Sequence, residues 1–397
     1  MNTLTVGDTR KAYDVVVVGA GPVGTAAARS ASEEGLSVLC LEEHGTIGHP
    51  VQCAGLLSLG AFSECRVSDR AVLNRVSGAE VITSLGSRLL IDVGTTKAFV
   101  VDRGVLDRQM AQAAAETGAD IRLKTAVNGV HDTTVVTRGV NGHEEFGFKI
   151  LIAADGPRST IARLNGMERA PYFLAGIQAD VLHESDPRYV GIYPDASPEF
   201  FAWKIPITHE RVRIGLAGTR SVKDRFFNFR AIFPGPSVEL VTGSIPLGVM
   251  PRTYGHRTLY AGDAAGFAKP TSGGGVYTGI RSARHAVDVA VDCIRRGIFD
   301  DRALSRYEQL WRQDIGRELA LGLTVFRLRQ RFGPAEIDSL VRTLSDPEMV
   351  EIIREYGDMD RPARMIKELI KKPALHRLSP MIIRCVLGLF SGTGSVI

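Results

Sequence analysis

The stretch YDVVVVGAGPVGTAAARSASEEGLSVLCLEEH, Tyr13 to His44, constrains the fold of this chain more than any other. Val15 to Val18 form an unbroken β-branched run, the pattern of a strand covered on both faces. It runs into Gly19-Ala20-Gly21-Pro22-Val23-Gly24, then an alanine-rich helix, then a second strand from Val38 to Leu41. A glycine pattern alone is weak evidence. Set between a strand and a helix, with Glu42 23 positions after Gly19 and Glu43 beside it, it is a dinucleotide-binding fingerprint. Gly19 allows a tight turn, Gly21 lets the backbone (Ala20 included) approach a pyrophosphate, and Gly24 lets helix and strand close together. The helix N-terminus offers amide groups and partial positive charge to phosphates, and Glu42 suits ribose hydroxyls. The expectation is an α/β fold with a Rossmann-like nucleotide-binding domain.

Two later segments point to a long dinucleotide. ILIAADGPRST (150–160) is an apolar strand ending at Asp155-Gly156. TLYAGDAAGFAKPTSGGGVYTGI (258–280) is a short strand, Gly262-Asp263, a turn at Pro270, and three glycines before a helix at Val276. Asp263 at a strand end can hold a ribitol hydroxyl. Gly274 and Gly275 open a helix whose positive end can face the pyrimidine edge of a flavin. Three separated segments suit FAD, and no second strand–GxGxxG–helix unit provides an NAD(P) domain.

Other readings are excluded by composition. Forty-eight Lys and Arg against 44 Asp and Glu leave a net charge of +4 without a long basic run, which is no nucleic-acid signature. The five cysteines, Cys40, Cys53, Cys65, Cys293 and Cys385, are scattered without a CxxC, so neither a disulfide framework nor a thiolate metal site is expected. There is no run of 18 apolar residues, and the first residues lack a signal-peptide core, so a cytoplasmic location is expected. The FAD-binding domain is expected to be discontinuous, over 1–60, 98–160 and 250–298. Alternating runs such as EFFAWKIPI and ERVRIGLAG place an antiparallel-sheet substrate domain in 61–97 and 161–249. From 299 to 397 the spacing turns helical, punctuated by Pro334, Pro347, Pro362 and Pro373.

Together these motifs resemble the FAD-dependent hydroxylase-like flavoprotein superfamily over roughly residues 13 to 300. That resemblance implies that Arg103, at the start of the helix in VVDRGVLDRQM, contacts the flavin. It also implies that Val127, after a strand read over 121–124, lies against adenine. The loop IGHPVQCAGLLS is similar to that of one branch, the geranylgeranyl reductases, whose proline and cysteine match Pro50 and Cys53. Ala54 follows in the same cofactor-facing loop. FAWKIPITHERVRIGLA resembles a second fingerprint of the branch through Phe201, Trp203, Pro206 and Gly215, and implies substrate-binding roles for Phe201, Trp203 and Pro206. This chain departs from the pattern in having Phe201 for the usual tyrosine, Ala217 for the last glycine, and Ala54-Gly55-Leu56 for a glycine-richer stretch.

The resemblance implies saturation of carbon–carbon double bonds in geranylgeranyl chains of archaeal membrane lipid precursors. An isolated alkene needs a hydride from one side and a proton from the other. Cysteine thiols, with a reference pKa near ~8.5, are mostly protonated at neutral pH, so Cys53 can donate or relay that proton, or can simply pack on the flavin. Two other functions compete: a flavin monooxygenase or halogenase, suggested by the AWKIP stretch, and an electron-transfer flavoprotein feeding quinone. The partners implied are a prenyl lipid and an external electron donor: ferredoxin, a deazaflavin or NADPH. Peripheral membrane contact is expected through KELIKKPALHRLSPMIIRCVLGLF (367–390), which sets Lys and Arg beside an apolar run too short to span a bilayer.

Overall fold

The computed structural model describes residues 11–140 and 142–372. Its centre is an eight-stranded sheet whose main path runs Tyr254–Gly255, Thr258–Tyr260, Gly142–Ala153, Ala12–Val18, Val38–Leu41 and Asp120–Arg122. The last five of these are mutually parallel. Val15, Val16 and Val17 are fully buried, and pair with Ile150, Leu151 and Ile152 on one side and with Val38, Leu39 and Cys40 on the other. Apolar side chains on both faces keep this strand in the middle of the sheet.

Helix Pro22–Glu33 starts on a proline, where a missing amide hydrogen costs nothing, and buries Ala27, Ala28 and Ala31 completely. These small side chains let it lie close to the sheet, with helices Arg103–Glu116 and Val276–Arg296 alongside. The strand read over 121–124 ends at Arg122, and Val127 instead lies inside the next strand, Thr125–His131. That strand forms a hairpin with Thr134–Gly139 off the main sheet path.

A second, seven-stranded sheet has the order Ser237–Leu247, Tyr172–Leu182, Arg211–Gly218, Ala202–Pro206, Tyr189–Tyr193, Gly78–Ile82, Arg88–Asp92. It is antiparallel except where Tyr189–Tyr193 meets Gly78–Ile82 in parallel. One face packs Val181, Val212, Ile214 and Leu216 against Phe226 and Phe229 of helix Val222–Arg230. The other face carries Gln178, Asp180, Arg213 and Gly215, which turn toward the loop around Cys53. The stretch 61–97 is not all part of this sheet. It opens within helix Leu59–Cys65 and gives Val72–Val76 to a small three-stranded sheet with Leu56–Ser58 and Ala98–Val101.

Helices Pro334–Leu344 and Pro347–Tyr356 each begin on the expected proline; the first contributes Ile337 and Val341, and the second Val350 and Ile353, to a cluster with Leu89. Pro373 and most of the basic–apolar stretch 367–390 lie outside the described residues. No helix among the described residues is long and apolar enough to cross a membrane.

The last described helix, Ala363–Ile370, is tied down through Asp314. Asp314 accepts from Arg281 at 2.7 Å, His285 at 3.0 Å and Arg361 at 2.8 Å. Burial opposes its charge, but these three donors outweigh it and hold its pKa at about 2, while His285 is raised by Asp288 and Asp314. A lowered carboxylate contributes stability above its unfolded value of 3.8, lost as pH falls toward 2; a raised histidine contributes below 6.5, lost as pH rises past its folded value. Amide protection in 358–370 is therefore expected to peak between about pH 4 and 6.5 and to drop toward pH 8. His285→Gln should remove the alkaline fall. Hydrogen exchange showing equal protection at pH 5.5 and 8 in the wild type would contradict this.

Candidate active site

Four of the five parallel strands lead into a candidate segment just past their carboxyl ends, the usual place for a ligand in an open α/β sheet. Val18 leads to Gly19, Leu41 to Glu42, Ala153 to Asp155, and Tyr260 to Gly262 and Asp263. A Cβ on Gly24 would stand 1.8 Å from the Gly19 carbonyl oxygen, so helix and strand meet here with no room for a side chain. Above Gly21, nothing lies within 4 Å of where a Cβ would stand. The loop thus keeps an open backbone surface at the helix N-terminus. The Ala20 amide donates to Glu42 Oε2 at 2.8 Å, so the carboxylate both shapes the glycine loop and keeps lone pairs free. Glu42 Oε1 also accepts from the His44 amide at 2.9 Å, with His44 Nδ1 2.7 Å away; Glu43 is exposed at the rim. Val127 is buried just beyond Thr125, whose amide bonds the Glu42 carbonyl at 2.8 Å.

Asp155 is also bonded locally. Its oxygens accept from Ser159 Oγ at 2.7 Å and the Ile161 amide at 3.0 Å, which holds the start of the short helix Thr160–Leu164 while Gly156 stays open at φ +77°. Asp263 differs. Its carboxylate accepts no hydrogen bond from any described residue, and desolvation, against the pull of Arg103, raises its pKa to about 6. A Cβ on Gly275 would stand 2.5 Å from Asp263 Oδ1, so the N-terminus of helix Val276–Arg296, behind Gly274 and Gly275, closes directly on this carboxylate. An unpartnered acceptor beside an open glycine backbone fits the hydroxyls and phosphates of FAD.

Cys53 lies near two guanidinium groups. Its Sγ accepts from the Gly55 amide at 3.4 Å, and Arg103, whose charge it favours, clasps Asp107 through two bonds of 2.9 Å. Burial opposes the Arg103 charge, but Asp107 and Cys53 outweigh it and raise its pKa. On the other side, Arg213 donates to the Ala54 carbonyl at 3.1 Å and to Asp180 Oδ1 at 2.7 Å, and Gln178 donates to the Cys53 carbonyl at 3.0 Å. The second sheet therefore grips the cysteine loop by its backbone.

Trp203 sits across the strand from Gly215, where a Cβ would meet the indole at 2.3 Å; only glycine lets the ring lie flat there. Phe201 stacks on Phe200 at 4.3 Å and meets Trp203 edge-on at 6.1 Å, while Trp203 and Ala54 share an apolar cluster. The buried Trp203 Nε1 has no partner among the described residues. Pro206 pairs with Val212 and so faces the opposite side of the sheet from Trp203. It ends its strand, and its carbonyl accepts from Asn74 at 2.9 Å.

Residues 12–186 match the FAD binding domain family. Over 386 residues, 31% are identical to digeranylgeranylglycerophospholipid reductase 2 of Methanothermobacter thermautotrophicus, an alignment spanning 90% of this chain and 100% of that protein. This chain belongs to the digeranylgeranylglycerophospholipid reductase family. The fold is similar to that of a geranylgeranyl bacteriochlorophyll reductase-like protein from Thermoplasma acidophilum, with a TM-score of 0.86 at 24% identity over 96% of this chain and 100% of that one. It is also similar to a p-nitrophenol 4-monooxygenase from Pseudomonas putida, with a TM-score of 0.70 at 17% identity over 87% and 97%. At such identities the likeness is one of fold alone.

Sequence reasoning missed Gln178, Asp180 and Arg213. Their signal is present: polar residues at alternate positions in two otherwise apolar strands, GIQAD and RVRIG, mark a sheet face that turns toward something polar.

Asp263 gives a prediction with opposite effects on folding and binding. A raised acid means the folded chain holds the proton more tightly than the unfolded chain, so stability falls as pH climbs from 3.8 to about 6 and stays lower above it. With a discount for partial exposure, Asp263→Asn should stabilise the flavin-free protein by about 1–2 kcal/mol at pH 7. FAD affinity should fall about 10-fold, because a charge-assisted acceptor is lost. Urea unfolding at pH 7 and flavin titration check both; tighter flavin binding in the variant would refute the assignment.

Proposed function

We propose that this protein is an FAD-dependent reductase that saturates carbon–carbon double bonds in the geranylgeranyl chains of archaeal membrane lipid precursors. The observation that carries the reading is the Cys53 thiol, which lies near Arg103 and Arg213 in a loop whose next residue, Ala54, shares an apolar cluster with Trp203. The family membership supports the same substrate class.

The cofactor residues of this reading are Gly19, Ala20, Gly21, Gly24, Glu42, Glu43, Ala54, Arg103, Val127, Asp155, Gly156, Gly262, Asp263, Gly274, Gly275 and Val276. Bound FAD in its reduced form supplies the hydride. The chain supplies the rest. Phe201 and Trp203 wall off an apolar surface for the alkene, keeping water from the reacting carbons. Cys53 Sγ donates the proton to the carbon that does not receive hydride, and the two flanking guanidinium groups stabilise the thiolate left behind. Gln178 and Arg213 hold the Cys53 and Ala54 carbonyls so that the thiol keeps its aim. Pro206 fixes the exit of the Trp203 strand, which is a supporting role.

An external electron donor, whether ferredoxin, a deazaflavin or NADPH, belongs to this reading, as does peripheral contact with a membrane on the cytoplasmic side, where the lipid resides. Two basic residues of the expected docking stretch are already engaged: Lys371 with Glu368 and Lys372 with Glu348. Lys367 of the same stretch is exposed.

Single-turnover mixing of reduced enzyme with a prenyl lipid, without oxygen, tests the reading. Flavin reoxidation should accompany addition of two hydrogens per reduced bond, seen by mass spectrometry. Cys53→Ala should retain FAD and slow this step at least ~10-fold. If the variant reoxidises at the wild-type rate, Cys53 only packs. Stoichiometric oxygen uptake with a hydroxylated or halogenated product would replace the reductase reading altogether.

A further inference from the structure

The C-terminal region reaches back to the candidate flavin site through one buried ion pair. Lys269 Nζ donates to Asp360 Oδ1 at 2.6 Å and to the Met359 carbonyl at 2.9 Å, and the two side chains are only 12% and 6% exposed. Asp360 Oδ2 accepts from Ser58 Oγ at 2.5 Å. A Cβ on Gly60 would stand 2.8 Å from that same oxygen, so the carboxylate is wedged tightly in place.

Both partners bear on the site. Lys269 opens and closes the glycine loop ahead of helix Val276–Arg296: its amide donates to the Gly274 carbonyl at 3.0 Å, and its carbonyl accepts from Gly273 at 2.8 Å and Ser272 at 3.2 Å. Its side chain folds over that loop, with Cε 3.3 Å from where a Cβ on Gly274 would stand. Ser58 ends the strand that follows the Cys53 loop and caps helix Leu59–Cys65 through the Ala61 amide at 2.9 Å. Asp360 is presented by a turn in which Asp358 Oδ1 accepts from the Asp360 and Arg361 amides at 2.7 and 3.0 Å. Arg361 adds bonds to Asp314 and to the Tyr277 hydroxyl.

We propose that Lys269 and Asp360 are positioning residues for the flavin: the pair holds the 269–275 loop at the start of its helix, ties it to the Cys53 loop through Ser58, and itself adds no net charge beside the cofactor site. The proposal rests on the FAD reading above. A buried pair of this kind is a poor stabiliser relative to apolar packing, but removing one member leaves the other charge uncompensated. Reduction adds negative charge to a flavin, so a lone ammonium beside it favours reduction and a lone carboxylate opposes it. The Ser58 link further means that a shift of the loop is felt at the strand leading from Cys53.

The test is the midpoint potential of bound FAD in the full chain, with the FAD dissociation constant measured in parallel. Asp360→Asn should raise the potential and Lys269→Gln should lower it, while the double variant returns close to the wild type. Both single variants should bind FAD at least ~10-fold more weakly, as expected when a hydrogen bond to a charged group is lost near the ligand. Lys269→Arg keeps the charge and should keep the potential. A role limited to packing moves affinity or stability but gives no opposite-signed shifts. Unshifted potentials, shifts of one sign in both single variants, or a shift in Lys269→Arg as large as in Lys269→Gln would overturn the proposal. If one neutral variant does not accumulate, the sign in the other decides. Wild-type protein that binds no FAD would sink the cofactor reading instead, before any variant is compared.

Discussion

The register of three parallel strands governs the rest of this molecule. Val18, Leu41 and Ala153 pair across the sheet at one level, so the glycine loop, Glu42 and Asp155 emerge side by side. That alignment follows from apolar side chains on both faces of the Ala12–Val18 strand. A slip of one residue would turn the pleat against the helices and bring Asp14, now bonded to Ser37 and Lys149 at the edge, toward the core. The bond from the Ala20 amide to Glu42 then joins two strand ends that the register has already brought together. Glu42 shapes a loop whose position it does not create.

The placement of the candidate nucleotide-binding segments was legible in the sequence because its logic is local. Gly19 to Gly24, Glu42, Asp263 and the glycines before Val276 each sit at a strand end or a helix start, and those boundaries can be read from periodicity. What was not legible depends on faces and long-range partners. Pro206 lies three residues from Trp203, an odd number, so the pleat sends the two to opposite sides. Val127 was expected just after a strand and instead belongs to the next one, because the chain turns back at Lys124, with φ +52°, earlier than the apolar pattern suggests. Asp180 and Arg213 announce themselves as polar interruptions, yet nothing in either strand names the cysteine loop as what they hold. Asp360 is the extreme case: its partners are Lys269 and Ser58, 91 and 302 positions away.

The two guanidinium groups around Cys53 show why those distant partners matter to the chemistry. Each is bonded to a carboxylate, Asp107 for Arg103 and Asp180, which Arg211 shares, for Arg213, so the site gains directed N–H donors whose charge is partly offset. Two bare arginines there would suit an anion better than an apolar alkene, and two bare carboxylates would hold the thiol proton in place. Pairing settles the conflict. In the proposed mechanism the N–H groups meet the negative charge that develops on sulfur as its proton leaves, while the carboxylates moderate the positive charge beside an apolar neighbour. The same arrangement recurs at Lys269 and Asp360 on the far side of the helix N-terminus. A site that must admit a hydrocarbon chain and also stabilise transient charge is served by balanced pairs fixed in position, since fixed donors need not reorganise when the charge appears. The turn between the last two described helices supplies one half of one such pair, which on the proposed reading makes it part of the site's electrostatics as well as of its scaffold.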